Sequence, residues 1–542
     1  MKRGTFLNAT ASTVTGLACI AMAFGAHAAD TAAALKKTEG AKPQVFHLDL
    51  AFAKYRPDYL RRLIPQLKKC GFNTILWEME DAVRFDTCPE IAAPDALSKA
   101  DLAAILAFAR ESGLENVPLL QTLSHNAYVL RHPKYQHLSE RPGFLELYCL
   151  SRPETGRFLA DWTKEIADLF GNPRYFHIGA DEADKIGKEC DLCRKNVEEL
   201  GVASLIVKHL APVTQALFER RITPVMWADM AHTHSELKTM LDRRIILADW
   251  WYAPAERAFR RVGPEKRRVN VFTEAAELRK AGFAVWGCAA SRCYGDSVFA
   301  PRHDLHFKNY REWRQAFAEI PLEGVMLTSW SWHLFPLELQ MPVMALAAHE
   351  GLDDAQYEEA FARDWLGVDG KEFFRAVRLL SPPVLFSRTA KIGYSQVHHV
   401  AAPDAVIKEA QRLSQNEKDR VRESENAAAL LAGYQDAASA LRKLEAQASG
   451  DREMLRDWIL AADNLVFRAR LQLFLLAPEP DEAQRQALSA ALDGLRRRSE
   501  AMYLRKVGPA CTALLTGNIF DPAEHALRNW RGPSAAGATA RP

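Results

Sequence analysis

Eight short apolar runs, spaced by stretches of helical periodicity, constrain this chain more than any other feature. They are VFHLDLA (45–51), NTILWEME (73–80), NVPLLQTL (116–123), RYFHIGADE (174–182), ITPVMWADM (222–230), RIILADWW (244–251), FAVWGCAAS (283–291) and LEGVMLTSW (322–330). A strand with one wet face alternates polar and apolar residues, whereas a strand covered on both faces reads as a nearly unbroken apolar run. Between the runs, segments such as YLRRLIPQLKKCG and RFLADWTKEIADLFG repeat apolar residues at helical spacing. This alternation predicts an α/β chain whose residues 43–345 form a (β/α)8 TIM barrel. A doubly wound sheet is the alternative, but it does not ordinarily require eight regular repeats.

Past residue 345 the periodicity is helical throughout, which predicts an α-helical C-terminal domain at 346–530. The tail, 531–542, has the Gly, Ala and Pro composition of a disordered segment. At the other end, Lys2 and Arg3 precede an apolar stretch and the small-residue sequence AHA, so 1–28 reads as a signal peptide and 29–42 as a leader. The mature protein is expected to be periplasmic or secreted. The formal net charge is +2, and loss of the signal removes two cations and no acids. With no basic excess, nucleic acid is not an expected partner. No later apolar run reaches the roughly 18 residues of a membrane span. Oligomeric state leaves no mark on these features.

Barrel active sites lie at the C-terminal ends of the strands. Those ends carry Asp49; Glu78, Glu80 and Asp81; Gln121 and His125; Asp181 and Glu182; Trp227 and Asp229; Asp249, Trp250 and Trp251; Ser291; and Trp330. Carboxylates and amides bond sugar hydroxyls, and indole faces cover the apolar side of a pyranose ring. Within HIGADE (177–182) two acids stand side by side. Neighbours on a continuing strand face opposite ways, so the strand must stop there for both to enter a cleft. Gly179 and Ala180 are small enough to leave room for a ring. Ordinary glycosidases place two carboxylates on opposite sides of the scissile bond; adjacent acids fit the exceptional case in which the substrate supplies its own nucleophile.

HIGADE resembles the H-x-G-x-D-E signature of glycoside hydrolase family 20, the β-N-acetylhexosaminidases. HLDL (47–50), EMED (78–81), PLLQTLSH (118–125), WADM (227–230) and LTSW (327–330) resemble its hexosaminidase D-like branch, in order, over roughly residues 43–345. The resemblance implies an exo-acting, retaining hydrolysis of terminal N-acetylhexosamines on glycans, through an oxazolinium intermediate and without a cofactor or catalytic metal. Asp181 would orient and polarise the acetamido group. Glu182 would be the general acid and then the base, with a pKa raised by burial and by the Asp181 charge. His125 would meet the sugar, and His177 would support Asp181 from behind. Trp227, Trp251 and Trp330 would wall the pocket, Asp229 would lie beside it, and Tyr294 is the one match to a tyrosine that contacts the acetamido carbonyl.

Asp49 and Glu78 read either as sugar contacts or as salt-bridge members on the barrel floor. Glu338 reads either as a hydroxyl contact or as part of a helix N-terminus. Two departures from the family pattern stand out. The arginine that follows strand one in many members is replaced by LDLAFAKYR, with only Lys54 and Arg56 nearby. The W-x-E that ends strand eight is replaced by Trp330, Ser331 and Trp332. A non-catalytic glycan-binding barrel, and a glycosidase of another family using distant acids such as Glu80 and Glu182, are the competing readings.

Nine cysteines occur, one of them in the signal-like segment, and the only tight spacing is Cys190–Cys193. A local disulfide leads free thiols and a metal site, because zinc takes about four ligands and no second pair is visible. Asp229, His232 and His234 also offer metal-ligand types, though the expected chemistry needs no ion.

Overall fold

The eight apolar runs fold as eight parallel strands of a closed barrel. They are β1 (Gln44–Asp49), β2 (Thr74–Glu78), β3 (Glu115–Leu119), β4 (Tyr175–His177), β5 (Thr223–Trp227), β6 (Ile246–Trp250), β7 (Val285–Arg292) and β8 (Gly324–Ser329). Each strand pairs with the next in sequence, and β8 closes the ring on β1 through Gln44–Val325, Val45–Met326 and Phe46–Leu327. The structure is a computed structural model and describes residues 41–255, 259–262 and 267–532. The expected signal peptide, all but the last two residues of the leader, and the tail from 533 onward lie outside the described residues.

Alternation along the strands divides the core in two. Val45, Leu76, Val117, Val225, Ala248, Trp286 and Met326 fill the barrel interior, while Phe46, Ile75, Phe176, Met226, Leu247 and Leu327 pack outward against the helices. Both sets are buried, which is why the strands read as unbroken apolar runs. Helices such as Pro57–Lys69 and Pro153–Leu169 begin on proline, whose fixed φ and missing N–H suit a first turn.

Two features differ from the expectations. β4 covers three residues rather than the full RYFHIGADE run, because the backbone turns left-handed at Gly179 (φ 62°), Ala180 (φ 71°) and Glu182 (φ 48°). An antiparallel hairpin, Phe259–Val262 with Arg267–Asn270, is inserted after β6; its arginine-rich strands lack the apolar pattern that marks a barrel strand.

The C-terminal region is helical, with long helices at Glu417–Gln447, Arg452–Leu476, Glu482–Leu504 and Pro509–Asn529. Asn416, Asp451 and Asp481 cap the first three by accepting backbone N–H groups. The turn between the last two helices docks on the barrel. Tyr503 donates its hydroxyl to the Leu334 carbonyl (2.7 Å), the Gly508 N–H to Lys54 O (3.1 Å), and Arg56 N–H to Lys506 O (2.9 Å). Among the described residues, no single helix is long and apolar enough to cross a membrane.

Candidate active site

A cavity of about 600 Å³ opens at the C-terminal end of the barrel. Its wall joins Asp49, Glu78, Glu80, Gln121, His125, Asp181, Glu182, Trp227 and Trp330, each at or just past a strand end. The left-handed residues after β4 bring both acids in: with the pleat broken, Asp181 and Glu182 face the same space. Gly179 has a different role from the one its size implies. A Cβ there would meet Gln121 Oε1 at 2.0 Å, so the missing side chain makes room for the Gln121 amide and not for a ring.

His125 joins the acid pair. Its Nε2 lies 3.3 Å from Asp181 Oδ2 and 3.4 Å from Glu182 Oε2. Partial burial works against an imidazolium there, but the Asp181 charge and the hydrogen bonds to both carboxylates outweigh it, and the pKa stands well above 6.5. The same contact overturns one expectation. Glu182 is held below the usual carboxylate range by its hydrogen bond to His125, against the opposing effect of desolvation. Its side chain is 56% exposed, so burial is too weak to raise it. In this arrangement the proton rests on His125.

Asp229 sits behind the pair. It opens a short helix, Asp229–Thr233, and accepts the Glu182 N–H (2.8 Å) and the Trp250 indole N–H (3.3 Å). Burial, followed by the Asp181 charge, pushes its carboxyl up to about 7. Asp229 is outside the cavity wall, so its action is through Glu182. His177 is likewise fully buried outside the cavity. Its Nδ1 accepts the Gly179 N–H (3.0 Å) and its ring rests on Trp227 (4.3 Å between centroids). Burial, reinforced by His47, holds its pKa well below 6.5, so a neutral imidazole braces the turn from behind the cavity wall.

The opposite wall is acidic. Asp49 accepts the N–H groups of Ala51 and Ser331, both at 2.7 Å; it is fixed by amides rather than by a salt bridge. Glu78 accepts Gln121 Nε2 (3.0 Å) and is paired with His47 Nε2 (2.8 Å). Burial and the neighbouring charges of Glu78, Asp49 and Asp81 raise Glu80 well above the carboxylate range. No arginine or lysine is found in the cavity wall among the described residues. Lys54 turns away to Asp81 (2.5 Å) and Arg56 to Asp58 (3.0 Å).

Two expected contacts, Trp251 and Glu338, are relocated. Trp250, not Trp251, enters the cavity: Ala248 and Trp250 share the inward face of β6, whereas Trp251 leaves the strand and packs into the outer shell. Tyr252, unforeseen, stacks on Trp250 (5.3 Å, 23°) beside Trp330. Tyr294 does reach the rim, 74% exposed and stacked on Trp332. Glu338 is excluded from the site, because it pairs with Lys506 (2.7 Å) under the helical region. That region also contributes Gln396, Val397 and His399 to the cavity; no periodicity or motif marks them.

Residues 45–262 match the profile of glycosyl hydrolase family 20, catalytic domain. The barrel is a family 20 catalytic domain. Bovine hexosaminidase D is 27% identical over 353 residues, 61% of this chain and 98% of that protein. Human hexosaminidase D is also 27% identical, over 53% of this chain and 60% of its own length. A family 20 exo-β-N-acetylglucosaminidase from Vibrio harveyi, solved with N-acetylglucosamine, is 17% identical, with a TM-score of 0.44 over 58% of this chain and 56% of that one. The profile match makes this a glycoside hydrolase of the β-hexosaminidase family, with β7 and β8 completing the barrel beyond the matched segment.

Proposed function

We propose that this protein removes terminal β-linked N-acetylhexosamines from glycans by a retaining, substrate-assisted mechanism. The observation that carries this reading is the placement of Asp181 and Glu182 on one side of the cavity, bridged by His125 Nε2. Adjacent acids cannot flank a scissile bond, so the nucleophile on the far face has to belong to the sugar. Asp181 Oδ1 is buried and lacks a hydrogen-bond partner in the protein; it is the acceptor for the acetamido N–H. Trp227, Trp330 and Tyr252 enclose the acetamido methyl, and Asp49, Glu78 and Glu80 accept from ring hydroxyls.

Glu182 then protonates the departing glycosidic oxygen as the acetamido oxygen attacks the anomeric carbon. The proton reaches it from His125. Sugar binding draws Asp181 to the acetamido N–H and strips water from Glu182, and both changes move the proton from imidazolium to carboxyl. In the second step Glu182 takes a proton from water, which opens the oxazolinium ion with net retention. Asp229 maintains the Glu182 backbone in its left-handed turn. Export follows the reading of residues 1–28 and would place this activity outside the cytoplasm.

Aryl glycosides carrying mono-, di- and trifluoroacetyl groups in place of N-acetyl provide the test. Rates should fall steeply as the carbonyl oxygen loses nucleophilicity. A flat series would overturn substrate assistance, and release of the inverted sugar would overturn the whole mechanism.

A further inference from the structure

The loop that leaves the acid pair runs into a group of three buried cysteines. Cys190 is the N-cap of the helix Asp191–Leu200 and Cys193 lies in its first turn. Cys149, 41 residues earlier in sequence than Cys190, comes from the segment after β3. Its Sγ lies 3.4 Å from Cys193 Sγ and 4.0 Å from Cys190 Sγ, and all three sulfurs fall within 4.8 Å of one another. All are buried, with Cys149 and Cys193 fully so, and together they form a cluster separate from the main core.

We propose that Cys149, Cys190 and Cys193 hold a structural zinc ion as three thiolates, with an oxygen ligand in the fourth position. Thiolates bound about 2.3 Å from a tetrahedral zinc sit about 3.8 Å apart, which matches the observed spacing. A helix N-terminus stabilises negative sulfur at Cys190 and Cys193. The Ser151 hydroxyl, itself buried, borders Cys193, and Arg152 follows it in the chain. That hydroxyl is the near group for the fourth position. Binding releases the thiol protons to solvent and leaves one residual negative charge, which Arg152 offsets. A monovalent ion would leave two negative charges buried, at greater cost.

The site fastens one end of the catalytic loop. Glu140 already accepts the N–H groups of Gly187 (2.8 Å) and Glu189 (2.9 Å). The metal would add a covalent-strength link between that loop and the segment that begins with His125. The sequence pair alone was two ligands short; the fold supplies Cys149.

The test uses the full-length protein, reduced and stripped of metal. Elemental analysis after incubation with Zn(II) should find one ion per chain, and titration with Cd(II) should give a thiolate-to-metal charge-transfer band that saturates at one equivalent. Cys149→Ser should weaken binding at least tenfold, while Cys70→Ser, at a buried cysteine elsewhere, should leave it unchanged. A wild-type chain that takes up neither ion would overturn the proposal, and this reading does not depend on any variant folding. Mass spectrometry of the protein as isolated that finds Cys149 disulfide-bonded to Cys190 or Cys193 would overturn it as well.

Discussion

His125 Nε2 stands 3.4 Å from Glu182 Oε2, and this contact decides which of the two groups holds the proton before a substrate arrives. The residues are 57 positions apart and reach each other from the ends of β3 and β4. His125 itself adopts a left-handed backbone (φ 60°), as does Glu182, so both sides of the contact depend on strained turns at the barrel mouth.

If His125 holds Glu182 in its ionised form, removing the imidazole should release it. In His125→Ala, Glu182 should titrate at higher pH than in the wild type, and kcat/KM should fall about a hundredfold. The pH dependence of kcat/KM, with carboxyl titration followed by NMR, checks both. An unchanged Glu182 titration would break the link.

Asp229 should set the alkaline limit of activity. As pH rises through about 7 its carboxyl ionises, and the new negative charge makes Glu182 and His125 hold their protons more tightly. Asp229→Asn still offers an oxygen to the Glu182 N–H but never acquires the charge. The alkaline limb of kcat/KM should therefore move to lower pH in this variant, with a smaller change on the acid side.

Gly179→Ala should be costly out of proportion to its size. A left-handed non-glycine residue costs roughly 1–2 kcal/mol, and the new methyl must also displace the Gln121 amide from its place beside Glu78. Thermal unfolding should show the loss, and kcat/KM should drop further than the stability change explains, since the same turn aims both acids.

Lys506 is nearly fully buried between Glu338 (2.7 Å) and Asp457 (2.8 Å). Lys506→Met strands two carboxylates in the interface between the barrel and the helical region, a change worth about 3–5 kcal/mol. Burial already pushes the Asp457 carboxyl up to about 6, and loss of the Lys506 charge raises it further above its unfolded value. The deficit should therefore grow as pH rises from about 4 through the folded-state values, and shrink on acidification. Denaturant unfolding at several pH values measures this.

The barrel was legible because its evidence is local. Strands covered on both faces must be apolar along their length, and the eight runs that meet this condition are the eight strands. The hairpin after β6 escaped because arginine-rich strands carry no such pattern. The acid pair was legible because the residue types and their adjacency already demanded an unusual geometry.

Side-chain direction and pairing were less accessible. Trp250 and Trp251 are equivalent in sequence, and only the inward phase of β6 separates them. Glu338 could read as a sugar-hydroxyl contact until Lys506, 168 residues later, claimed its carboxylate. Cys149 had no visible relation to Cys190 and Cys193. The sequence by itself determined the order of the eight strands, the change to helix beyond them and the adjacency of the two acids at a strand end, since periodicity and residue chemistry act over a few neighbours. Only the tertiary structure decided which groups face the cavity, where the shared proton rests and which distant charges or thiols meet, because burial and electrostatics depend on spatial neighbours that the chain order does not reveal.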